Sequence, residues 1–490
     1  MAENRTTQFI VVSNRGPVTF SRNGSGEREH SRGAGGLVTA LNALSHRRNA
    51  VWIASAMSEE DTSVARESLE EPYEVEELRV VLVEHAEEAY DLMYNRLANP
   101  LLWFVQHGLY DLPYSPSLGE ETKRAWEDGY LSVNENLADA AVRTLKAAGG
   151  VGEPVILVHD YQLYMVPRFV RKRLRDRAFV SLFVHIPWPD PEWWRVLPSY
   201  IREGVLESLL EADIVAFHTE SYARNFVRTA REVLGVAGDE EEGVIRHGSG
   251  REVWARSYPI SIDPGEFEEL AQSDEVRKRE EFVENLPGKL LLRVDRMDLS
   301  KNTVRGFKAY DRMLERHPEM GGGVTFLARL QPSRSDIPEY AEYSEAIQRA
   351  VDGVNEKHAT GSWQPVVLSM EDDFPLSVAA YRNYDVLLVN AIRDGMNLIA
   401  KEAVVVNQRD GVLILSENAG AHEELGQHAV TVNPFDVDEQ ADALYKALTM
   451  PDDERARHAQ ALKETVRSNT IEEWAEAQLE DITAYRERRG

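Results

Sequence analysis

Cations stand just past apolar runs at several points of this chain, and their spacing suits one kind of chemistry. In "LLLRVDRMDLSKN", Arg296 and Lys301 lie five residues apart beyond a run of strand length, with Asp298 between them. Both can reach one departing diphosphate and neutralise it as a metal would, each charge-assisted hydrogen bond contributing about 1.5–3 kcal/mol. "LQPSRSD" leaves another run with Arg334 beside hydroxyls, a hold for a second phosphate, and in "VVSNRGP" Arg15 ends a third run as a candidate anion ligand.

In "DVLLVNAIRDGMNLIAKEAVVVN" the apolar run Val386 to Val389 breaks into a charged turn, Arg393-Asp394-Gly395-Met396-Asn397, and a helical pattern opens at Leu398. Strand, turn and helix make half of a βαβ unit. Beyond the carboxyl end of such a strand, a helix start offers N–H groups and positive dipole to a phosphate or sugar hydroxyl. Histidines end two more runs: His159 with Asp160 in "VHDYQL", and His185 in "FVHIPWP". Alone each reads as a structural histidine; two at strand ends beside one groove read as a site. "GAGGLVTALNAL" follows the first strand, but Val38 stands where a dinucleotide fingerprint needs its last glycine, so NAD is not expected. Gly35 and Gly36 keep a use, because glycine lets backbone N–H groups approach a diphosphate or sugar closely.

No H-E-x-x-H, acid–histidine cluster or loop D-x-D pair occurs, so no metal and no cofactor is expected. The chain has no cysteine, which removes thiol chemistry and disulfides and fits a reducing cytoplasm. A net charge of -28 argues against nucleic acid and anionic membranes as partners. The run Arg171-Lys172-Arg173 reads as a solvated helix face. Neither a signal segment nor a membrane span is found in the sequence. A homo-oligomer is compatible with an acidic enzyme of this size, without a sequence signal for it.

What must position these residues is a set of parallel sheets. Twelve short apolar runs, "FIVVS", "AVWIAS", "LRVVLV", "PVILVHD", "VSLFVHIP", "DIVAFH", "KLLLRVDR", "GVTFLARL", "QPVVLS", "DVLLVN", "GVLILS" and "AVTVNP", alternate with amphipathic stretches. That is too many strands for one ordinary doubly wound sheet, and 490 residues with 43% apolar content can fill more than one core. The expected fold is α/β, with two facing Rossmann-like doubly wound domains and the active site in the cleft between them. The expected domains are 1–262, 263–465 and a C-terminal helix over 466–490 that returns towards the first domain.

Taken in order, "VVSNR", "GGL", "HDYQL", "HIPWP", "RMDLSK", "PSR", "RDGMNLIAKE" and "VNPFD" span nearly the whole chain and resemble the trehalose-6-phosphate synthases. The resemblance implies a retaining glycosyltransferase of the GT-B type that moves glucose from a nucleotide diphosphate glucose (UDP, GDP or ADP) to glucose 6-phosphate. By matching motif it implies that Arg296 and Lys301 grip the donor diphosphate, with N–H groups at Asn397 and Leu398. Glu402 would hold the ribose, Asp394, Gly395 and Met396 would meet the sugar, Asp394 and His185 would fix its hydroxyls, and Gly35 and Gly36 would lie over the donor. Arg15, Tyr94, Asp160 and Arg334 would hold glucose 6-phosphate. Asp160, His185, Arg296, Lys301 and Asp394 form the implied catalytic set, with no protein nucleophile. Two positions depart from the pattern: Ser55, where many members have a tryptophan, and Asn302, where glycine is common. The motifs are also similar to pseudo-glycosyltransferases that join a nucleotide-linked cyclitol to an aminocyclitol phosphate. A silent sugar-phosphate sensor on the same fold is the third reading.

Overall fold

Strands dense in Val, Ile and Leu with no polar alternation are buried on both faces, which requires helices above and below a parallel sheet. The computed structural model describes residues 8–32, 50–68, 71–148, 153–248, 250–361 and 363–489. In it the strands Phe9–Ser13, Val51–Ser55, Val155–His159 and Phe179–Phe183 are buried at every position. All twelve apolar runs form strands.

The chain gathers into two compact units, one of residues up to Pro259 together with those from Glu472 onward, the other Ile260–Ile471. In the first unit seven parallel strands run in the spatial order Glu252–Ser257, Ile214–Phe217, Phe179–Phe183, Val155–His159, Phe9–Ser13, Val51–Ser55 and Leu78–Val83. Short antiparallel strands extend both edges. The chain therefore starts mid-sheet, winds to one edge, returns past its first strand and winds to the other. The reversal falls between Phe9–Ser13 and Val155–His159, whose carboxyl ends lead into Arg15 and Asp160.

The second unit repeats this plan with six parallel strands in the spatial order Val366–Ser369, Val324–Gln331, Lys289–Arg296, Val386–Val389, Val412–Ser416 and Val430–Val432. In chain order that is 3-2-1-4-5-6, the Rossmann arrangement. Its reversal lies between Lys289–Arg296 and Val386–Val389, the strands that lead into the Lys301 and Asp394 turns. One face of this sheet is filled by Phe307, Tyr310 and Met313 from the helix Thr303–Arg316 and by Leu444 and Ala447 from the helix Val437–Thr449.

Three expectations change. The break expected at 262/263 falls at 259/260, and the terminal helix begins at Ile471 rather than 466. The helix before it, Asp452–Ser468, runs on and stops only where Asn469 leaves helical geometry at φ −122° and ψ 87°. The basic run is a solvated face only in part: Lys172 is exposed, but Arg171 is buried, bonded to Asp213 at 2.5 Å and to the carbonyls of Glu211, Arg175 and Ala178, so it ties its helix to the sheet. Among the described residues no helix is long and apolar enough to cross a membrane.

Candidate active site

Each unit carries candidate residues at its own point of strand reversal, where open α/β sheets bind ligands. In the second unit the strand Lys289–Arg296 ends with Arg296 exposed and without an ion-pair partner among the described residues. The turn Leu299–Lys301 follows, and Lys301 points back to Asp394 at 2.5 Å, with Asp295 at 3.9 Å. Burial works to lower the pKa of the Lys301 ammonium, but Asp394 and Asp295 outweigh it and the net shift is upward, so the lysine stays charged. Arg296, at the end of the strand that leads into this turn, opposes that rise.

The charged turn from Arg393 to Asn397 is held from outside. Asp394 pairs with Ala419 in an isolated parallel bridge, the Gly420 N–H donates to the Asp394 carbonyl at 3.1 Å, and the Ala421 N–H donates to the Met396 carbonyl at 2.8 Å. A Cβ at Gly420 would lie 2.0 Å from the Gly395 carbonyl oxygen, so only glycine fits there. Asn397, at φ 81°, donates to Asp394 at 3.0 Å and accepts from the Ala400 N–H at 3.2 Å, capping the helix Ile399–Val406 that begins just past Leu398. On that helix, burial pushes the Glu402 carboxyl up to about 7, with the Tyr381 hydroxyl 3.4 Å away.

Arg334 lies in the turn just past the strand Val324–Gln331, as the sequence pattern predicts. Its guanidinium meets the buried Asp298 carboxylate at 3.1 Å and also contacts the Tyr340 hydroxyl, which itself donates to Asp298. Arg334 therefore belongs to the second unit, whereas Arg15, Tyr94 and Asp160 belong to the first, and the expected phosphate ligands are divided between the units.

In the first unit Arg15 is exposed just past Phe9–Ser13. Beside it Tyr90 bonds Asn14, and Tyr94 stacks on Tyr90 at 5.7 Å, which stacks in turn on His85 at 5.9 Å. Ser55 is buried and bridges this column, 3.3 Å from Asn14 Oδ1 and 3.0 Å from His85 Nε2. Asn14, His85 and Tyr90 were not legible as site residues, because only the fold brings them together. Asp160 sits at φ 79° and ψ 168°, a region nearly confined to glycine, and its carboxylate accepts the His185 N–H at 3.2 Å. His185 does not stand alone: its Nε2 lies 3.0 Å from His159 Nδ1 and its Nδ1 lies 3.3 Å from His218 Nε2. Gly35 and Gly36 lie outside the described residues.

Backbone strain marks the same places. Asp160, Asn302, Arg334 and Asn397 hold positive φ, each at the carboxyl end of a strand or in the turn beyond it. Such conformations cost about 1–3 kcal/mol each and persist where surroundings enforce them, commonly at ligand sites.

The histidine row gives an acid-sensitivity test. Burial lowers His159 to about 3, and burial with the neighbouring His218 and His159 lowers His185 well below its ordinary value. Their stabilising contribution is therefore full above the unfolded value of about 6.5 and falls as pH drops, because the unfolded chain takes up protons that the folded one refuses. The loss for each ring approaches about 1.4 kcal/mol per pH unit. Thermal melts between pH 7.5 and 5 should show a falling midpoint, with a shallower slope in His159→Asn; an unchanged slope would contradict the neutral row.

Comparison with known proteins agrees with this layout. The model of Glycosyltransferase family 20 matches residues 7–484. The alpha,alpha-trehalose-phosphate synthase (UDP-forming) of Pichia angusta is 31% identical over 488 residues, covering 97% of this chain and 98% of its own. A validamine 7-phosphate valienyltransferase of Streptomyces hygroscopicus subsp. jinggangensis is 31% identical over 490 residues, covering 98% of this chain and 95% of its own. Among solved structures, an alpha,alpha-trehalose-phosphate synthase (UDP-forming) of Burkholderia xenovorans in complex with glucose-6-phosphate superimposes with a TM-score of 0.81 at 27% identity, covering 97% of this chain and 100% of that one.

Proposed function

Because the chain belongs to glycosyltransferase family 20, we propose that it transfers glucose, with retention and without a metal ion, from UDP-glucose to glucose 6-phosphate, giving α,α-trehalose 6-phosphate and UDP. The observation that carries this reading is the match of both strand-reversal points to the needs of two anionic substrates. Arg296, Lys301 and Asp394 gather at one; Arg15, Tyr94, Asp160 and His185 lie at or around the other. We assign the first set, with His185, Asn397, Leu398 and Glu402, to the donor, and Arg15, Tyr94 and Asp160, with Arg334, to the acceptor.

In this mechanism the bond between glucose C1 and the diphosphate oxygen breaks as the acceptor hydroxyl approaches the same face. Positive charge grows on the sugar ring and negative charge on the leaving diphosphate. Lys301 and Arg296 stabilise that negative charge, and because they hold their geometry before the reaction, little reorganisation is needed during it. The proton of the acceptor hydroxyl passes to the departing phosphate oxygen, so no protein base or nucleophile is required. Asp394 bonds Lys301 in this structure, and donor phosphates arriving at the ammonium would leave that carboxylate for a sugar hydroxyl. Ser55 does not reach towards a substrate in this reading. It is buried, and it fixes Asn14 and His85 behind Tyr90 and Tyr94.

Cyclitol coupling is the competing reading, and a validamine 7-phosphate valienyltransferase is among the relatives. The synthase relatives and solved synthases that match nearly the full chain, together with the intact Arg393–Leu398 turn and Arg334, favour glucose transfer. The test is a panel of UDP-, GDP- and ADP-glucose, each with glucose 6-phosphate. UDP release coupled to a non-reducing disaccharide phosphate is expected, undiminished by EDTA. Nucleotide release only with an aminocyclitol phosphate, or activity abolished by the chelator, would overturn the assignment.

A further inference from the structure

Beneath Lys301 lies a set of buried polar side chains that the mechanism above does not use. Arg293, on the strand Lys289–Arg296, is 1% exposed. Its Nη1 donates to Asn390 Oδ1 at 2.7 Å, its Nη2 donates to the Lys301 carbonyl, and its Nε faces Asp295 Oδ2 at 3.0 Å. The space is made for it, since a Cβ on Gly306 would come within 2.7 Å of Arg293 Nη1. Asn390 passes the network on to Gln440 at 2.6 Å. Asn302, at φ 61°, ends the lysine's turn and donates to the carbonyls of Asn390 at 2.9 Å and Pro434 at 2.6 Å.

Burying a guanidinium costs several kcal/mol before its partners repay it, and apolar side chains would serve equally well as a plain scaffold. What an apolar residue could not do is occupy Asp295. That carboxylate stands between two cations, with Oδ2 on Arg293 and Oδ1 3.9 Å from the Lys301 ammonium. Deprived of Arg293, its whole charge would fall to the lysine.

We propose that Arg293 is a positioning residue that holds Asp295 away from Lys301, and so sets how much of the lysine's charge reaches the leaving diphosphate. The inference rests on the donor-binding role assigned to Lys301. Arg293 and the Lys301 carbonyl fix the turn, Asp295 fixes the guanidinium, and the ammonium is left facing Asp394 and the donor side.

The test is a set of variants assayed for kcat, KM and thermal midpoint. Arg293→Met should lower kcat by about tenfold to a hundredfold, the scale expected from small misplacements in a preorganised site, with the KM for glucose 6-phosphate unmoved. Arg293→Met combined with Asp295→Asn should recover most of that loss, because the competing carboxylate is gone. This pair also removes the unpaired buried charge, so it keeps the test decisive if the single variant fails to fold. In a Lys301→Ala background, Arg293→Met should cost nothing further in kcat. Wild-type kcat in folded Arg293→Met, or a folded pair no better than the folded single variant, would overturn the proposal; if only the pair folds, a kcat more than tenfold below wild type would do so. The two levels separate cleanly. If Lys301→Ala itself keeps wild-type turnover, the reading of the donor site fails; if it collapses turnover while Arg293→Met does not, only the positioning role fails.

Discussion

Lys301→Ala is expected to lower kcat by about 10²–10³, by analogy with removing one preorganised donor from an oxyanion hole. The loss should fall on turnover because the charge it meets is greatest in the transition state, when the diphosphate is leaving. A magnitude of this order equals about 2.7–4 kcal/mol, which a single cation at contact distance in a partly screened site can supply. Lys301 and Asp394 are half-buried together, so the alanine variant leaves a carboxylate short of one partner, and a thermal melt should accompany the kinetics. Arg296→Ala offers the cleaner companion, because Arg296 is exposed and its removal should leave the unfolding free energy within about 0.5 kcal/mol of wild type. Steady-state kinetics in both substrates decide the matter. A kcat within threefold of wild type for both variants would remove the electrostatic basis of the mechanism.

The second large effect concerns pH. Burial raises Glu402 to about 7, and its assigned task is to accept ribose hydroxyls, which needs the carboxylate form. Donor kcat/KM should therefore rise with pH and level off above about 7, losing close to tenfold for each pH unit below it. Glu402→Gln should flatten that profile at a lower plateau. Stability should run the opposite way. A carboxyl whose folded pKa is raised contributes fully below the unfolded value and loses that contribution as pH climbs through the folded one, so Glu402→Gln should gain on wild type above pH 7. A donor profile flat from pH 5.5 to 8 in the wild-type enzyme would exclude this carboxylate from nucleotide binding.

Much of the scaffold was legible because its strands are buried on both faces and so appear as unbroken apolar runs. Glu252–Ser257 was missed because it carries Glu252, Arg256 and Ser257 among its apolar residues. The hairpin Val18–Arg22 and Arg28–Arg32 was missed for a similar reason: its strands are largely polar. At the site, the spacing of Arg296 and Lys301 and the Asp394 turn were readable, since short-range sequence fixes them. Their partners were not. Gly420 clamps Gly395 from twenty-five residues away, and Arg334 finds Asp298 and Tyr340 only once two strand ends are side by side. Asn302, noted as a departure, proves to be a working part of the turn: asparagine tolerates positive φ as glycine does, and its amide adds two bonds that glycine cannot make.

The last helix has a consequence for synthesis. Residues from Glu472 onward join the first unit, where Tyr485 bonds the Glu252 carbonyl, Arg486 bonds Glu153, and Tyr258 bonds Asp481. The second unit is thus an insertion within the first, and a ribosome moving along the message delivers every residue of the insert before the host is complete. The half that begins first is the half that finishes last, and a nonsense mutation near residue 471 would spare the inserted half while robbing its host of a closing helix.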